Sequence, residues 1–405
     1  MANTINYAAV FNRILDEKFY IMPRTLWMEN TNPGIEYDGG KEVKIPMLST
    51  DGLGDMSGAK APTGDLVFAY ETKTLQWYRG RNFEIPRYAV NETNFALNVG
   101  NALNVFLKSK ALPEVDCLRI AAAAQGAVGY GAITAQATNG ITAANILDLL
   151  MADITKVQDK IGEGEQLFIQ ISTSLKGLLE RSSQITKYLN TRDFTVRSVN
   201  LKMEALNDQY LIGTPSGYMH SVFRTNDGRT SGQTVGGVTF TNLGANVNWL
   251  IAARPAVDAI ARPQVSKVID PDMNQDGDYW KIMFSIYHGL WTMENKGDGL
   301  LVNLDTTPGS LTVASEAGTV SAGDSVITVT GFVPDGMKYV WKAASGTAPS
   351  VAIGTALKAT DGWADLPADG LISTTNAYKI TVALVHKANG QPLASGNTTV
   401  VAKAS

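Results

Sequence analysis

Apolar positions along the chain change period several times, and the changes divide it into elements. Between Asn91 and Gln125, Phe95, Val99, Ala102, Leu103 and Phe106 recur at helical spacing and form one apolar stripe. The stripe loses phase at Ser109 and restarts with Leu112, Val115, Leu118 and Ala122. Pro113 lies at the seam, where a missing backbone N–H kinks or breaks a helix. Asn91 reads as the N-cap, Glu92 sits where the helix dipole favours negative charge, and Gly126 reads as the stop. Unbroken, this helix is roughly 50 Å long at 1.5 Å per residue, more than a compact domain needs. Its expected role is to span something.

Ahead of it, Tyr7, Val10, Phe11, Ile14 and Leu15 share one face of a short amphipathic helix, and Pro23, Pro33 and Gly34 keep the following chain extended. A helix with so little core of its own reads as an arm that packs on something else. From Lys41 to Arg87 the period becomes two: Glu42 to Pro46 alternates, as does Leu66 to Ile85 with a break at Gly80. Between them Ser49 to Asp65 is rich in Gly, Ser and Asp. The expectation is a long hairpin that needs a neighbour, since a lone hairpin is marginal in water.

After the long helix come a small-residue loop (Ala127 to Gly140), a helix from Ile141 to Ile161, a strand from Gln166 to Ser172 and a helix from Ser174 to Leu189. Strands are expected at Thr195 to Leu201, Tyr210 to Phe223, Trp249 to Ala253 and Val265 to Ile269, with a helical turn at Ala256 to Ala261. Tyr279 to Glu294 reads as an aromatic-rich strand pair. Helices and strands so mixed make an α+β body. Past Leu304 the composition changes: residues 305–405 hold no Arg and no Cys and are rich in Thr, Ser, Ala, Val and Gly. Short strands at roughly ten-residue spacing predict an immunoglobulin-like all-β sandwich behind a Thr306–Gly309 linker, with Trp341 as its buried aromatic.

Composition narrows the function. Hydrophobic residues make up 44% and charged residues 18%, with a net charge of −4, which argues against a dedicated nucleic-acid binder. Cys117 is the only cysteine, so no intrachain disulfide forms, which fits a reducing cytoplasm. The opening residues carry no secretory signal pattern, and no apolar run reaches about 18 residues. Gly126, Gly129 and Gly131 follow a helix rather than a strand, the wrong context for a dinucleotide site. His220, His288 and His386 are scattered, and Cys117 lacks a nearby basic partner. Asp272, Asn274 and Asp276, with Gly277, match half of a calcium loop, but Met283 stands where the bidentate Glu belongs. A solvated turn uses the same residue types, and is the preferred reading. No catalytic cluster, cofactor motif or enzyme emerges.

Several stretches, taken in order, resemble the major capsid proteins of tailed bacteriophages with the Hong Kong 97-like fold. They are Asn3 to Tyr7, Gln76 to Ile85, Asn91 to Asn94 leading into Asn98, Asn101 and Phe106, then Pro113 to Asp116 and Arg119. Asp270-Pro271, Tyr287-His288, Glu294 to Lys296 and Gly299 continue the likeness. The resemblance implies an N-terminal arm (1–38), an extended loop (39–89), a spine helix opening a peripheral domain (90–139), an axial domain (140–278) and peripheral return strands (279–304). The sandwich at 305–405 is an addition, expected to decorate the outside. Also implied are pentamers and hexamers closing into an icosahedral shell around double-stranded DNA, without sequence-specific contact. Scaffolding and portal proteins are the implied partners, the virion is the location, and the host cytoplasm is the place of synthesis. The arm begins near Met1, which implies a separate scaffolding protein or none. Arg79, Arg81, Glu114 and Asp116 are the candidate inter-subunit contacts. A tail-tube protein and a cellular nanocompartment shell are the alternatives, the first disfavoured by the long helix.

Overall fold

The computed structural model describes residues 23–29, 42–57, 60–92, 99–182, 189–196, 199–206 and 208–404. The helical pattern of Tyr7 to Leu15 lies outside these residues, as do Asn3 to Tyr7, Pro33, Gly34, Asn94, Phe95 and Asn98. In chain order the first elements are β1 (Glu42–Thr50), β2 (Leu66–Thr74), β3 (Trp77–Pro86), α1 (Arg87–Glu92) and α2 (Val99–Phe106). A π-helical turn (Leu107–Ala111) leads into α3 (Leu112–Gly129), followed by β4 (Ile133–Ala135), α4 (Ile146–Ile161), β5 (Leu167–Ser172) and α5 (Thr173–Leu179). Next come β6 (Leu189–Val196), β7 (Val199–Leu206), β8 (Gln209–Thr214), β9 (Phe223–Thr225), β10 (Val238–Phe240) and β11 (Val247–Ala253). Two long strands, β12 (Val257–Ile269) and β13 (Tyr279–Thr292), precede β14 (Leu300–Leu304). The C-terminal strands are β15 (Gly309–Ser310), β16 (Thr312–Ala317), β17 (Asp324–Thr330) and β18 (Met337–Ala344). They end with β19 (Ala364–Asp365), β20 (Leu371–Ser373), β21 (Lys379–His386) and β22 (Pro392–Thr399).

The chain forms two compact units, one from residues 28–106 and 257–296, the other from 23–27, 107–256 and 297–404. In the first, β1 and β2 pair antiparallel from Glu42↔Thr74 to Thr50↔Leu66, as a hairpin. Its base packs Ile45 and Leu75 against Trp291 and Met293, and the Trp291 indole donates to the Thr74 carbonyl at 2.9 Å. The expected break at Gly80 falls instead at Leu75–Gln76, where the chain leaves β2 and enters a second sheet of order β12-β13-β3. Gly80 lies inside β3, paired with Ser285, at a position where a Cβ would come within 2.7 Å of the Phe284 carbonyl oxygen. The expected strand pair at Tyr279 to Glu294 is one strand, β13, which finds both partners elsewhere in the chain. The expected helical turn at Ala256 to Ala261 is mostly the start of β12. Helix α2 covers this sheet through Phe106, whose ring lies 4.9 Å from that of Phe83 and 5.6 Å from that of Phe284.

The phase slip at Ser109 has a physical cause: the π-helical turn inserts an extra residue and rotates the apolar face. Pro113 then occupies the first turn of α3, where its missing N–H is harmless. Asn91 is inside α1 rather than a cap, and α3 runs through Gly126 to Gly129.

The second unit is built on a sheet of order β4-β14-β11-β5-β8-β7-β6 among the described residues. Its central strands β5 and β11 are buried along their whole length and are mostly apolar, with Gln170, Ser172 and Asn248 as buried polar exceptions. Helix α4 lays Ile146, Leu150, Ile154 and Val157 on the core. Asp153 joins that face because the Trp249 indole, Thr134 and Asn303 all donate to its Oδ2, at 3.0, 2.9 and 3.1 Å. The expected strand at Thr195 to Leu201 is divided between the end of β6 and the start of β7. The expected helix from Ser174 is the shorter α5.

The C-terminal residues form sheets of order β15-β22-β21-β18-β19 and β16-β17-β20. Trp341 is only half-buried; the buried tryptophan is Trp363, packed with Val340, Ala383 and Val385.

Candidate interaction surfaces

The hairpin presents its apolar side chains to solvent. Residues opposite one another in an antiparallel pair share a face. The register therefore puts Pro46, Leu48, Leu66, Phe68 and Tyr70 together on one side. Leu66, Phe68 and Tyr70 are 66%, 56% and 59% exposed, and the Phe68 and Tyr70 rings meet edge to face at 5.0 Å. Across the tip, Leu53 and Met56 are exposed as well. The tip itself closes through Asp51, whose carboxylate accepts from the Asp65 N–H at 2.8 Å. Contiguous exposed apolar surface of this kind marks a binding face or an aggregation liability. The sequence expectation of a hairpin that needs a neighbour rests on the same residues, which are apolar on both faces from Leu66 to Tyr70.

Arg79 and Arg81 share the β3 face of Phe83 and Ile85, the side covered by α2, and both are partly buried. Glu114 is partly buried in the first turn of α3, where the helix dipole favours its charge. Asp116, expected at an inter-subunit contact, is turned inward and 2% exposed. Its carboxylate accepts from the Arg24 N–H (2.8 Å), the Thr25 N–H (3.2 Å) and the Thr25 hydroxyl (2.5 Å). Burial raises its pKa, against the pull of those bonds and of the neighbouring Arg119 guanidinium. Trp27 completes the anchor, stacking on Phe168 at 4.5 Å, with Tyr210 next in the stack at 4.8 Å. The segment 24–27 is thus held by its own chain. Nothing in the local pattern predicts a bond spanning 91 residues.

Asp272 pairs with Arg87, and Asp276 pairs with Lys281 at 3.0 Å. The Asn274 amide donates to the Tyr279 carbonyl at 3.0 Å, and its oxygen accepts from the Asp276 N–H. These groups are committed to the turn's own hydrogen bonds and ion pairs, which is the geometry of a solvated turn. Among the described residues no three His, Cys, Asp or Glu side chains gather where a metal ion would sit. Cys117 is buried, and burial, followed by the charges of Asp116 and Glu114, pushes its thiol up to about 12. His288 is buried against the Trp77 ring, and His220 lies against Phe240 at 4.1 Å. None of these arrangements supplies a nucleophile beside a base. Among the described residues no helix is long and apolar enough to cross a membrane.

No protein-family model and no curated protein matches the chain. Solved structures do. The capsid structure of the Cyanophage P-SCSP1u aligns at a TM-score of 0.51 and 12% identity, covering 74% of this chain and 92% of that one. The asymmetric unit of the bacteriophage PhiM1 mature capsid aligns at 0.48 and 8% identity, over 74% and 92%. The capsid structure of the Staphylococcus phage Andhra aligns at 0.43 and 9% identity, over 75% and 88%. At such identity the likeness is one of fold: most of this chain is folded like a phage capsid chain.

Proposed function

We propose that this chain is a structural, non-enzymatic major capsid protein of a tailed bacteriophage with the Hong Kong 97-like fold. In this reading it assembles as pentamers and hexamers into an icosahedral shell enclosing double-stranded DNA, and it resides in the virion. Scaffolding and portal proteins are its partners during assembly. The observation that carries the reading is the fold match to the cyanophage capsid over nearly all of that chain. The matched share, 74%, is close to the fraction of this chain ahead of Asp305, as expected if the sandwich at 305–405 is an added immunoglobulin-like domain on the outer surface. The exposed apolar face of Leu48, Leu66, Phe68 and Tyr70 agrees with it. Such a face gains its burial on a neighbouring subunit, at about 25 cal/mol per Å² of apolar area removed from water.

The test is co-expression with the scaffolding partner, followed by sedimentation and electron microscopy. The unaltered chain is expected to form closed shells. The double variant Phe68→Ser, Tyr70→Ser is expected to fold, because these side chains are already exposed, and to fail at closure. A chain that stays monomeric under every assembly condition overturns the capsid reading, whereas normal shells from the variant overturn only the hairpin's part in it.

A further inference from the structure

The joint between the C-terminal sandwich and the rest of its unit is not a tether. We infer that the sandwich acts as the cap of α3 and is a cooperative part of the body's fold, clamped at three places. This stands whether or not the chain builds a shell.

A helix leaves its last four carbonyls without partners inside the helix. At the end of α3, Tyr130 N–H takes the Gly126 carbonyl, Ala132 N–H the Ala127 carbonyl and Gly131 N–H the Val128 carbonyl at 3.0 Å, so that Asn389 adds a second donor at Val128 and reaches Gly129. The Asn389 side-chain amide, from the turn between β21 and β22, donates to the Val128 carbonyl at 2.5 Å and to the Gly129 carbonyl at 3.3 Å. Its own oxygen accepts from the Gln391 N–H at 3.1 Å, which fixes the amide's orientation. The turn is rigid: Gly390 N–H donates to the His386 carbonyl, and the turn needs Gly390 at φ +71°, where a Cβ would strike the Leu357 carbonyl oxygen at 2.6 Å. Beside it the His386 ring sits against α3 at Gly129, so that a Cβ on Gly129 would come within 2.8 Å of its Cε1.

The second clamp is at Gly309, where a Cβ would lie 2.2 Å from the Asn242 carbonyl oxygen; that carbonyl accepts from the Ser310 N–H at 2.6 Å. The third is Leu243, buried against Gly331 of the sandwich. Thr306 to Gly309 therefore joins two docked surfaces. Movement of α3's C-terminal end would break the Asn389 bonds or carry the sandwich with it.

Two substitutions in the full chain test this. Asn389→Ala is expected to speed hydrogen exchange of the Tyr130, Gly131 and Ala132 amides by ~10-fold or more, and to lower the midpoint of a single shared melting transition. Gly129→Ala is the second. Alanine for glycine in a helix ordinarily stabilises it, so a free-standing sandwich predicts a higher midpoint. A docked one predicts a lower midpoint, because the His386 ring must yield. If the sandwich melts as a separate transition, or if Gly129→Ala raises the midpoint while Asn389→Ala leaves exchange at 130–132 unchanged, the inference fails. Should Asn389→Ala not fold, the sign of the Gly129→Ala shift decides alone.

Discussion

Replacing Asp116 with alanine removes one carboxylate and strands three donors. Thr25 is fully buried, and both its N–H and its hydroxyl donate to Asp116. The Arg24 N–H loses its acceptor too, and the 1% exposed Arg119 loses its neighbouring negative charge. Each buried donor left unsatisfied costs about 1–3 kcal/mol. These terms overlap, so we expect about 3–5 kcal/mol for Asp116→Ala in all, spent on releasing segment 24–27. Arg24 is itself exposed while Thr25 is not, so tryptic cleavage after Arg24 reports local opening. If opening and closing are fast relative to cleavage, the rate follows the open population. At tenfold per 1.4 kcal/mol, it should rise by at least about a hundredfold. Thr25→Val, which keeps shape but loses the hydroxyl, should cost about 1 kcal/mol, and the double variant less than the sum of the two. The pH dependence has a defined sign. Burial raises the Asp116 pKa above its unfolded value, so the stability linked to it is fully present below about pH 4 and is lost as pH rises through the folded pKa. The advantage over Asp116→Asn should therefore shrink as pH rises. Wild-type cleavage rates in Asp116→Ala, or an advantage that grows with pH, would refute the anchor.

In the sandwich, Trp363→Ala should lower the full chain's stability by about 3–5 kcal/mol, and Trp341→Ala by less than about 2, because only the first is buried among Val340, Ala383 and Val385. Urea melts of both variants check this, and the reverse order would contradict the packing. The Cys117 thiol, 4% exposed and pushed up to about 12, should resist iodoacetamide at pH 8 until the chain is unfolded; mass spectrometry of the labelled protein reads the outcome.

What local patterning could supply, it did. The expected strand ending at Ser172 is a buried strand, and Ile146, Leu150, Ile154 and Val157 of the expected helix face the core. The phase slip at Ser109 marks a real irregularity, although the π-helical turn rather than Pro113 produces it. Errors gather where the partner is far away in sequence. A fourteen-residue β13 between β12 and β3 looks, from its own residues, like two strands, because nothing within it says that both neighbours come from elsewhere. The sandwich's tryptophan was misassigned for a similar reason. Trp341 sits on the strand and Trp363 in a loop, and only the loop's return over Val340 decides which is buried. Asp116 and Asn389 are the extreme cases, polar side chains whose partners lie 91 and 261 residues away.

The hairpin exposes the remaining gap between patterning and burial. Alternation says that Leu66, Phe68 and Tyr70 share a face; it does not say what covers them. Among the described residues nothing covers them, and Leu48 lies exposed on the same side. A two-stranded ribbon gains little from leaving such a face in water, since its hydrogen bonds alone are marginal. The same face is costly for a monomer, because it promotes indiscriminate association. Both difficulties vanish if the face is covered in the assembled state, with solvent-exposed ribbon exchanged for an ordered contact. Hydrophobicity read from a sequence therefore reports that a surface seeks burial, and only the folded chain shows which of its apolar faces the described residues leave exposed.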